Sequence, residues 1–168
     1  FFRRLPLELQ DIIDGAVAGD GFITQHSAVS GTFGLTLGEK QAGHAEEYRE
    51  ELAKFGYSGK IKQVTYYTRQ INSKEKTFVT TVRLSWTLWC FLDHRRRWYS
   101  GKQKILPLDV RNTSAFWRWF YAGDGTLYVI NPFCYRVLIA ANDFLTQDVD
   151  RLIAMLKDHG IKSTRYLK

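Results

Sequence analysis

The sequence predicts an α+β fold made of two like halves, and three observations lead there. Its hydrophobic patterns run in the order α-β-β-α-β-β-α and then begin again as α-β-β-α-β. The tripeptide Gly-Asp-Gly occurs twice, at Gly19-Asp20-Gly21 and Gly123-Asp124-Gly125, each time closing an apolar helical segment and leading into a strand. A length of 168 residues with 45% hydrophobic content is most simply one domain, residues 1–168, with a real core.

In the first half, residues 1–100, Leu9, Ile12, Ile13, Ala16 and Val17 recur at helical spacing, so residues 7–18 read as a helix with Pro6 in its first turn and Gly19 as its stop. Phe22–His26 and Thr32–Leu37 read as strands, the second because Phe33, Leu35 and Leu37 alternate with Thr32, Gly34 and Thr36. His44–Phe55 is a helix ended by Gly56. Lys60–Thr68 and Phe78–Ser85 are strands joined by a polar, charged loop. Trp86–Tyr99 is a helix closing on the basic run Arg95-Arg96-Arg97, which suits either phosphate contacts or the negative end of the helix dipole.

Residues 101–112, with Pro107 and little periodicity, form a linker. In the second half, residues 113–168, Thr113–Ala122 is a helix capped by Thr113 or Ser114. Leu127–Ile130 and Tyr135–Ala140 pair across Asn131-Pro132. Thr146–His159 is a helix capped by Thr146 and stopped by Gly160, and Ile161–Leu167 begins a further strand.

The bulk properties narrow the function. A net charge of +7 favours a polyanionic partner, because Lys and Arg bind phosphates by releasing counterions. Aromatic residues, 15% of the chain, belong mainly to the core. Cys90 and Cys134 lack partner spacing and the four histidines lack metal-ligand spacing, which argues against a disulfide framework or a zinc site and for a reducing, intracellular compartment, organelles included. No apolar run is long enough to span a bilayer, so a membrane is not an expected partner. Phe1-Phe2-Arg3-Arg4 is too short to read as a targeting segment.

One Gly-Asp-Gly is ordinary turn chemistry. Two copies at the ends of two helices carry two acids to one place if those helices pack in parallel. Gly15 and Gly19, four apart on one face, permit such close packing. Two neighbouring carboxylates repel, and a shared hard divalent cation such as Mg²⁺ relieves them. Such a cation activates water and stabilises the leaving oxygen of a phosphodiester.

With those residues in view, the sequence resembles the LAGLIDADG homing endonucleases in their single-chain, two-motif form. Ile13-Asp14-Gly15-Ala16-Val17-Ala18-Gly19-Asp20-Gly21 lies over the family motif, keeping its third-position Gly and final Asp-Gly. Phe120-Tyr121-Ala122-Gly123-Asp124-Gly125 resembles the aromatic-rich second motif, and Trp98-Tyr99-Ser100-Gly101-Lys102-Gln103-Lys104-Ile105-Leu106-Pro107 resembles the segment joining the halves. The resemblance implies motif helices packed at the centre of two pseudo-symmetric halves, with antiparallel sheets forming a saddle over double-stranded DNA. It implies a monomer with internal pseudo-symmetry. Asp20 and Asp124 would be the catalytic acids and metal ligands, with the Gly19 and Gly123 carbonyls as further ligands. Lys104 would be the basic residue of the site, with Lys102 second. A solvated linker charge is the other reading of Lys104.

DNA contacts are expected from Thr24, His26, Thr32, Thr36, Lys62, Arg69, Arg83, Lys102 and Arg136 on the strands and loops. The chain also departs from the family pattern. Trp119 stands where the first motif has Gly15, so a Trp119 facing the partner helix would need Gly15 opposite it. Asp14 replaces a small apolar residue and should point away from the helix pair. The family fold further predicts a last strand and closing helix, roughly 30–50 residues by usual element lengths, after the second half. These features imply a site-specific DNA endonuclease using Mg²⁺ or another hard divalent cation. The alternatives with the same fold are an RNA-binding maturase acting in intron splicing, or a non-catalytic module of an RNA–protein assembly, with an intron or structural RNA as partner.

Overall fold

The computed structural model describes residues 5–57, 60–69 and 76–165, with the side chains of residues 66–69 and 76–78 left aside. The expected loop between the third and fourth strands, the segment Phe1-Phe2-Arg3-Arg4 and residues 166–168 lie outside the described residues.

Helix α1, Leu7–Ala18, is buried from Ile12 to Ala18 on every side, the pattern of a central helix. The chain then turns at Gly19 and enters β1, Gly21–Gln25, which pairs with β2, Gly31–Gly38. A short 3₁₀ turn, Glu39–Gln41, leads into α2, Ala42–Ala53, whose Ala45, Tyr48 and Leu52 face inward. Strands β3, Lys62–Arg69, and β4, Lys76–Leu88, complete an antiparallel sheet in the order β1-β2-β4-β3.

Helix α3 spans Cys90–Trp98, shorter than the sequence suggests. Trp86 and Leu88 continue β4 instead, in register with Phe33 and Gly31. There Trp86 makes edge contacts with Tyr57 at 5.2 Å and Phe91 at 5.6 Å. The ladder and this aromatic packing outweigh a helical spacing that the residues also satisfy.

A two-rung hairpin, β5 (Tyr99–Ser100) and β6 (Gln103–Lys104), joins the first half to the linker and turns at Gly101 with φ of +63°, where a side chain would be strained. Helix α4, Ser114–Asp124, is capped by Thr113, whose hydroxyl accepts from the Phe116 amide at 3.3 Å. Strands β7, Gly125–Asn131, and β8, Cys134–Ile139, form a separate ribbon, followed by α5, Thr146–Asp158.

Thr146 does not cap α5. It is the first helical residue, and Leu145 holds the cap position in extended conformation with no side-chain hydrogen bond. Residues 161–165 form no strand, because no neighbouring strand among the described residues offers them a ladder; Ile161 instead donates to the Leu156 carbonyl and closes the helix.

The core sits where α1, α2 and α3 cover one face of the four-stranded sheet, burying Ile23, Phe33, Leu35, Leu37 and Leu84. It continues between α1 and α4 through Phe116, Trp119 and Phe120. The β7–β8 ribbon has no such cover: Leu127, Val129, Tyr135 and Val137 are all more than half exposed.

Candidate active site

The two Gly-Asp-Gly segments meet. Helices α1 and α4 run side by side in the same direction, with backbone against backbone. A Cβ added at Gly15 would come within 2.3 Å of the Phe116 carbonyl oxygen, and one at Gly123 within 2.7 Å of the Asp20 amide. At Gly19 a Cβ would lie 3.2 Å from Gly123 Cα. Only glycine permits this approach, and it sets Asp20 and Asp124 next to each other where the helices end.

Gly15 faces the backbone of Phe116 and does not make room for Trp119. Trp119 turns instead toward α2 and packs against Tyr48, the rings tilted by 34° with centroids 3.8 Å apart, while the Tyr48 hydroxyl donates to the Trp119 carbonyl at 3.2 Å. A tryptophan fits the motif helix because it leaves the helix interface altogether.

Asp14 points away from α4, as its position in the motif implied. It is 1% exposed and lies under α3. Arg97 donates to both its carboxylate oxygens at 2.9 and 3.0 Å, Trp98 donates at 2.6 Å, and His94 Nε2 lies 2.8 Å away. Burial pushes the Asp14 carboxyl up, but the hydrogen bonds from His94 and Arg97 outweigh it and hold the group below its usual range. Arg97 also donates to Asp109 at 2.8 Å, and Arg111 donates to buried Asp11 at 2.8 Å, so α1 is tied to α3 and to the linker. The basic run is therefore divided: Arg97 is structural, Arg96 pairs with Asp93, and Arg95 lies over Tyr99.

At the helix ends the three expected groups converge. Lys104 reaches in from β6, only 10% exposed, and donates from Nζ to the Gly19 carbonyl at 3.1 Å. Burial raises the Asp20 carboxyl, opposed by Lys104. Asp124 is pushed up to about 6 by burial and then by the charge of Asp20, again opposed by Lys104. Lys104 itself is lowered by burial, against the pull of Asp143, Asp124 and Asp20. These mutual effects are those of two neighbouring acids, Asp20 exposed at the cleft and Asp124 partly buried, sharing a site with one cation. The site opens into a cleft of about 600 Å³ lined by Asp20, Phe22, Lys102, Lys104, Asp124 and Asp143, among others.

The donor set fits one class of metal. Among the described residues, no group of three His, Cys, Asp or Glu side chains is placed to hold a metal ion. Two carboxylates and a helix-end carbonyl are hard oxygen donors, too few for a closed cage. Mg²⁺ suits such a site, since it keeps several waters and takes phosphate oxygens as ligands. Asp20 and Asp124 would hold it, with the Gly19 and Gly123 carbonyls beside them.

The expected nucleic-acid residues separate into groups. Thr24, Thr32, Thr36, Lys62 and Arg83 share the open face of the sheet, fixed by the register Thr24↔Thr32↔Thr87 and Thr36↔Arg83↔Lys62. Phe22 connects that face to the cleft: it lines the cleft and lies beneath the Arg83 guanidinium at 5.6 Å. His26 is exposed in the β1–β2 loop, and Lys102 sits at the tip of the β5–β6 hairpin. Arg136, opposite Tyr128, is on the separate ribbon rather than with the others. Arg69 ends β3, and its side chain lies outside the described residues.

Sequence reasoning missed Gln103, Asn142 and Asp143, which line the same cleft, and Tyr48, whose neutral form is favoured by burial and by the Asp20 charge. Asn and Asp are common turn residues, so Asn142-Asp143 carries no site signal of its own. Only the fold brings it to Lys104.

No family model and no curated protein matches the chain. Among solved structures, "The homing endonuclease I-WcaI bound to its DNA recognition sequence" matches with a TM-score of 0.67 and 13% sequence identity, covering 92% of this chain and 68% of that one. A likeness at this identity is one of architecture. The chain has a homing-endonuclease-like α+β fold, with its two Gly-Asp-Gly helices paired at the centre.

Proposed function

We propose that this chain is a LAGLIDADG-type, site-specific endonuclease that hydrolyses both strands of duplex DNA with Mg²⁺ or another hard divalent cation. The observation that carries the reading is the pairing of Asp20 with Asp124 through glycine-to-glycine contact, with the Lys104 ammonium at the same helix ends. The likeness to a DNA-bound homing endonuclease supports it.

A bound divalent ion would supply an activated water and stabilise the leaving oxygen. The chain's own residues do the rest. Asp20 and Asp124 provide the carboxylates, one serving each strand. Lys104 places a positive charge where a phosphate oxygen gains negative charge, in a half-buried site where that charge is poorly screened. The polar sheet face carrying Thr24, Thr32, Thr36, Lys62 and Arg83 meets the duplex, its cations binding phosphates and its hydroxyls reaching base edges.

The test is cleavage of a plasmid library carrying randomised target sites, with and without Mg²⁺. Wild type cuts a small set of sites, and Asp20→Asn and Asp124→Asn cut none. Cleavage that persists in both variants overturns the mechanism. Tight binding of intron RNA with no DNA cleavage at all replaces it with the RNA-binding reading.

A further inference from the structure

Lys104 stands on an atom that the metal reading needs. The Gly19 carbonyl closes α1, where the helix dipole is negative, and any cation in the cleft is drawn to it. The Lys104 ammonium is already there, at 3.1 Å. A divalent ion between Asp20 and Asp124 would meet that ammonium at the same oxygen, and two cations so close repel strongly in a half-buried site. For lysine and ion to coexist, the ammonium needs another anion within a short swing of its side chain.

Asp143 is that anion. Its Oδ2 lies 3.7 Å from Lys104 Nζ, beyond good hydrogen-bond length but within reach of a small rotation. Among the described residues it joins no three-acid cluster with Asp20 and Asp124, so it is placed as a partner for the lysine and not as a third ligand. Its backbone is held in place, while the carboxylate itself faces solvent. Gln103, the neighbour of Lys104, donates from Nε2 to the Asp143 carbonyl at 2.6 Å and clips the hairpin to the β8–α5 turn. Phe144, the next residue, is buried against Trp98 at 6.4 Å and Phe120 at 6.2 Å, and its ring lies 5.8 Å below Lys104 Nζ. The lysine thus rests between a carbonyl on one side and, on the other, the solvent-facing carboxylate of a residue whose backbone is held.

We propose that Asp143 is a positioning residue that takes the Lys104 ammonium off the Gly19 carbonyl when a divalent cation binds, so that ion and lysine occupy the cleft together. The inference rests on the metal-dependent reading above, and binding can be read without cleavage.

The experiment titrates the 168-residue chain with Mn²⁺ in the absence of DNA, following loss of the free-ion electron paramagnetic resonance signal. Asp143→Asn and Lys104→Met are compared singly and together, with circular dichroism to confirm folding. Removing a carboxylate weakens cation binding through its field alone, so the decisive quantity is the coupling between the two positions. Asp143→Asn should weaken Mn²⁺ binding about tenfold in the wild-type background and less than about twofold beside Lys104→Met, whereas Asp143→Glu should keep near-wild-type binding. An equal loss in both backgrounds, or none in wild type, overturns the role of Asp143. If Asp20→Asn and Asp124→Asn still abolish Mn²⁺ binding in that case, the metal site stands and only the positioning role falls. A wild-type chain that binds no Mn²⁺ removes both.

Discussion

Gly15→Ala adds a single methyl group to a helix, a change that ordinarily stabilises. Here it should do the opposite. The new Cβ would sit 2.3 Å from the Phe116 carbonyl oxygen and 3.0 Å from its carbon and Cα, against an ordinary contact of 3.4 Å or more. The obstacle is backbone, which cannot rotate aside, so α1 and α4 must separate by about 1 Å. Overpacking of this kind costs about 1–3 kcal/mol, here toward the upper end, and alanine's helix propensity returns about 1. The net loss is about 2 kcal/mol, or a fall in Tm of about 4–8 °C for a chain of this size. Gly43→Ala is the control, since that glycine lies exposed near the start of α2 with nothing within 4 Å of a new Cβ. It should gain about 0.5 kcal/mol. Urea denaturation and calorimetry of both variants measure the contrast. A Gly15→Ala protein as stable as wild type would refute the claim that the motif helices touch through their backbones.

Asp14→Ala should cost about 3–5 kcal/mol in urea unfolding, because it leaves Arg97 and buried His94 facing an empty position. Since the folded Asp14 carboxyl is held below its usual value, the stability it provides is present above about pH 4 and lost as pH falls through the lower folded value; wild type should lose this part in acid while the variant has none to lose. Asp124→Asn should have the opposite sign. A rise from 3.8 to about 6 means that ionised Asp124 destabilises the fold at neutral pH, by at most about 3 kcal/mol and by about 1 once solvent screening at this half-buried site is allowed for. Its substitution should therefore stabilise at pH 7 and lose that advantage as pH falls from 6 toward 4, which denaturation at several pH values will show. On the sheet face, Lys62→Ala and Arg83→Ala should each weaken duplex binding across sequences and lower the salt dependence by about one phosphate contact, measured by fluorescence anisotropy at several salt concentrations.

Most of the element order was legible because it rests on local signals. The alternation Phe33-Leu35-Leu37, the periodicity of residues 7–18 and the stops at Gly19 and Gly160 each name an element without reference to anything distant. The site was legible in part for a different reason: a repeated tripeptide at two helix ends is visible before the helices are known to touch. Its remaining parts depend on long-range packing. Asp14 looked like a misplaced acid until α3 supplied His94, Arg97 and Trp98. Trp119 looked like an obstacle to helix pairing until Tyr48 of α2 took its ring. Trp86 could satisfy helix or strand spacing, and only the ladder to Phe33 decided between them. Asp143 has no local signal at all, because its role is defined by a lysine in another element.

The two halves divide the work unequally. The four-stranded sheet of the first half is backed by three helices and presents an ordered polar face, whereas the β7–β8 ribbon exposes apolar side chains on both faces. A two-stranded ribbon is weak support by itself. The acid it follows is nevertheless well placed, because Asp124 ends α4, and α4 is held by Gly15, Gly19 and Gly123 against α1 and by Trp119 against Tyr48. Lys104 is held from both sides, donating to the Gly19 carbonyl of the first half and lying over the Phe144 ring of the second, which packs on Trp98. The geometry of the acids is thus a property of the helix pair and the aromatic core beneath it, while the polar surface is chiefly a property of the first sheet. Substitutions on that sheet should change what is bound, and substitutions at the helix interface should change what is done to it.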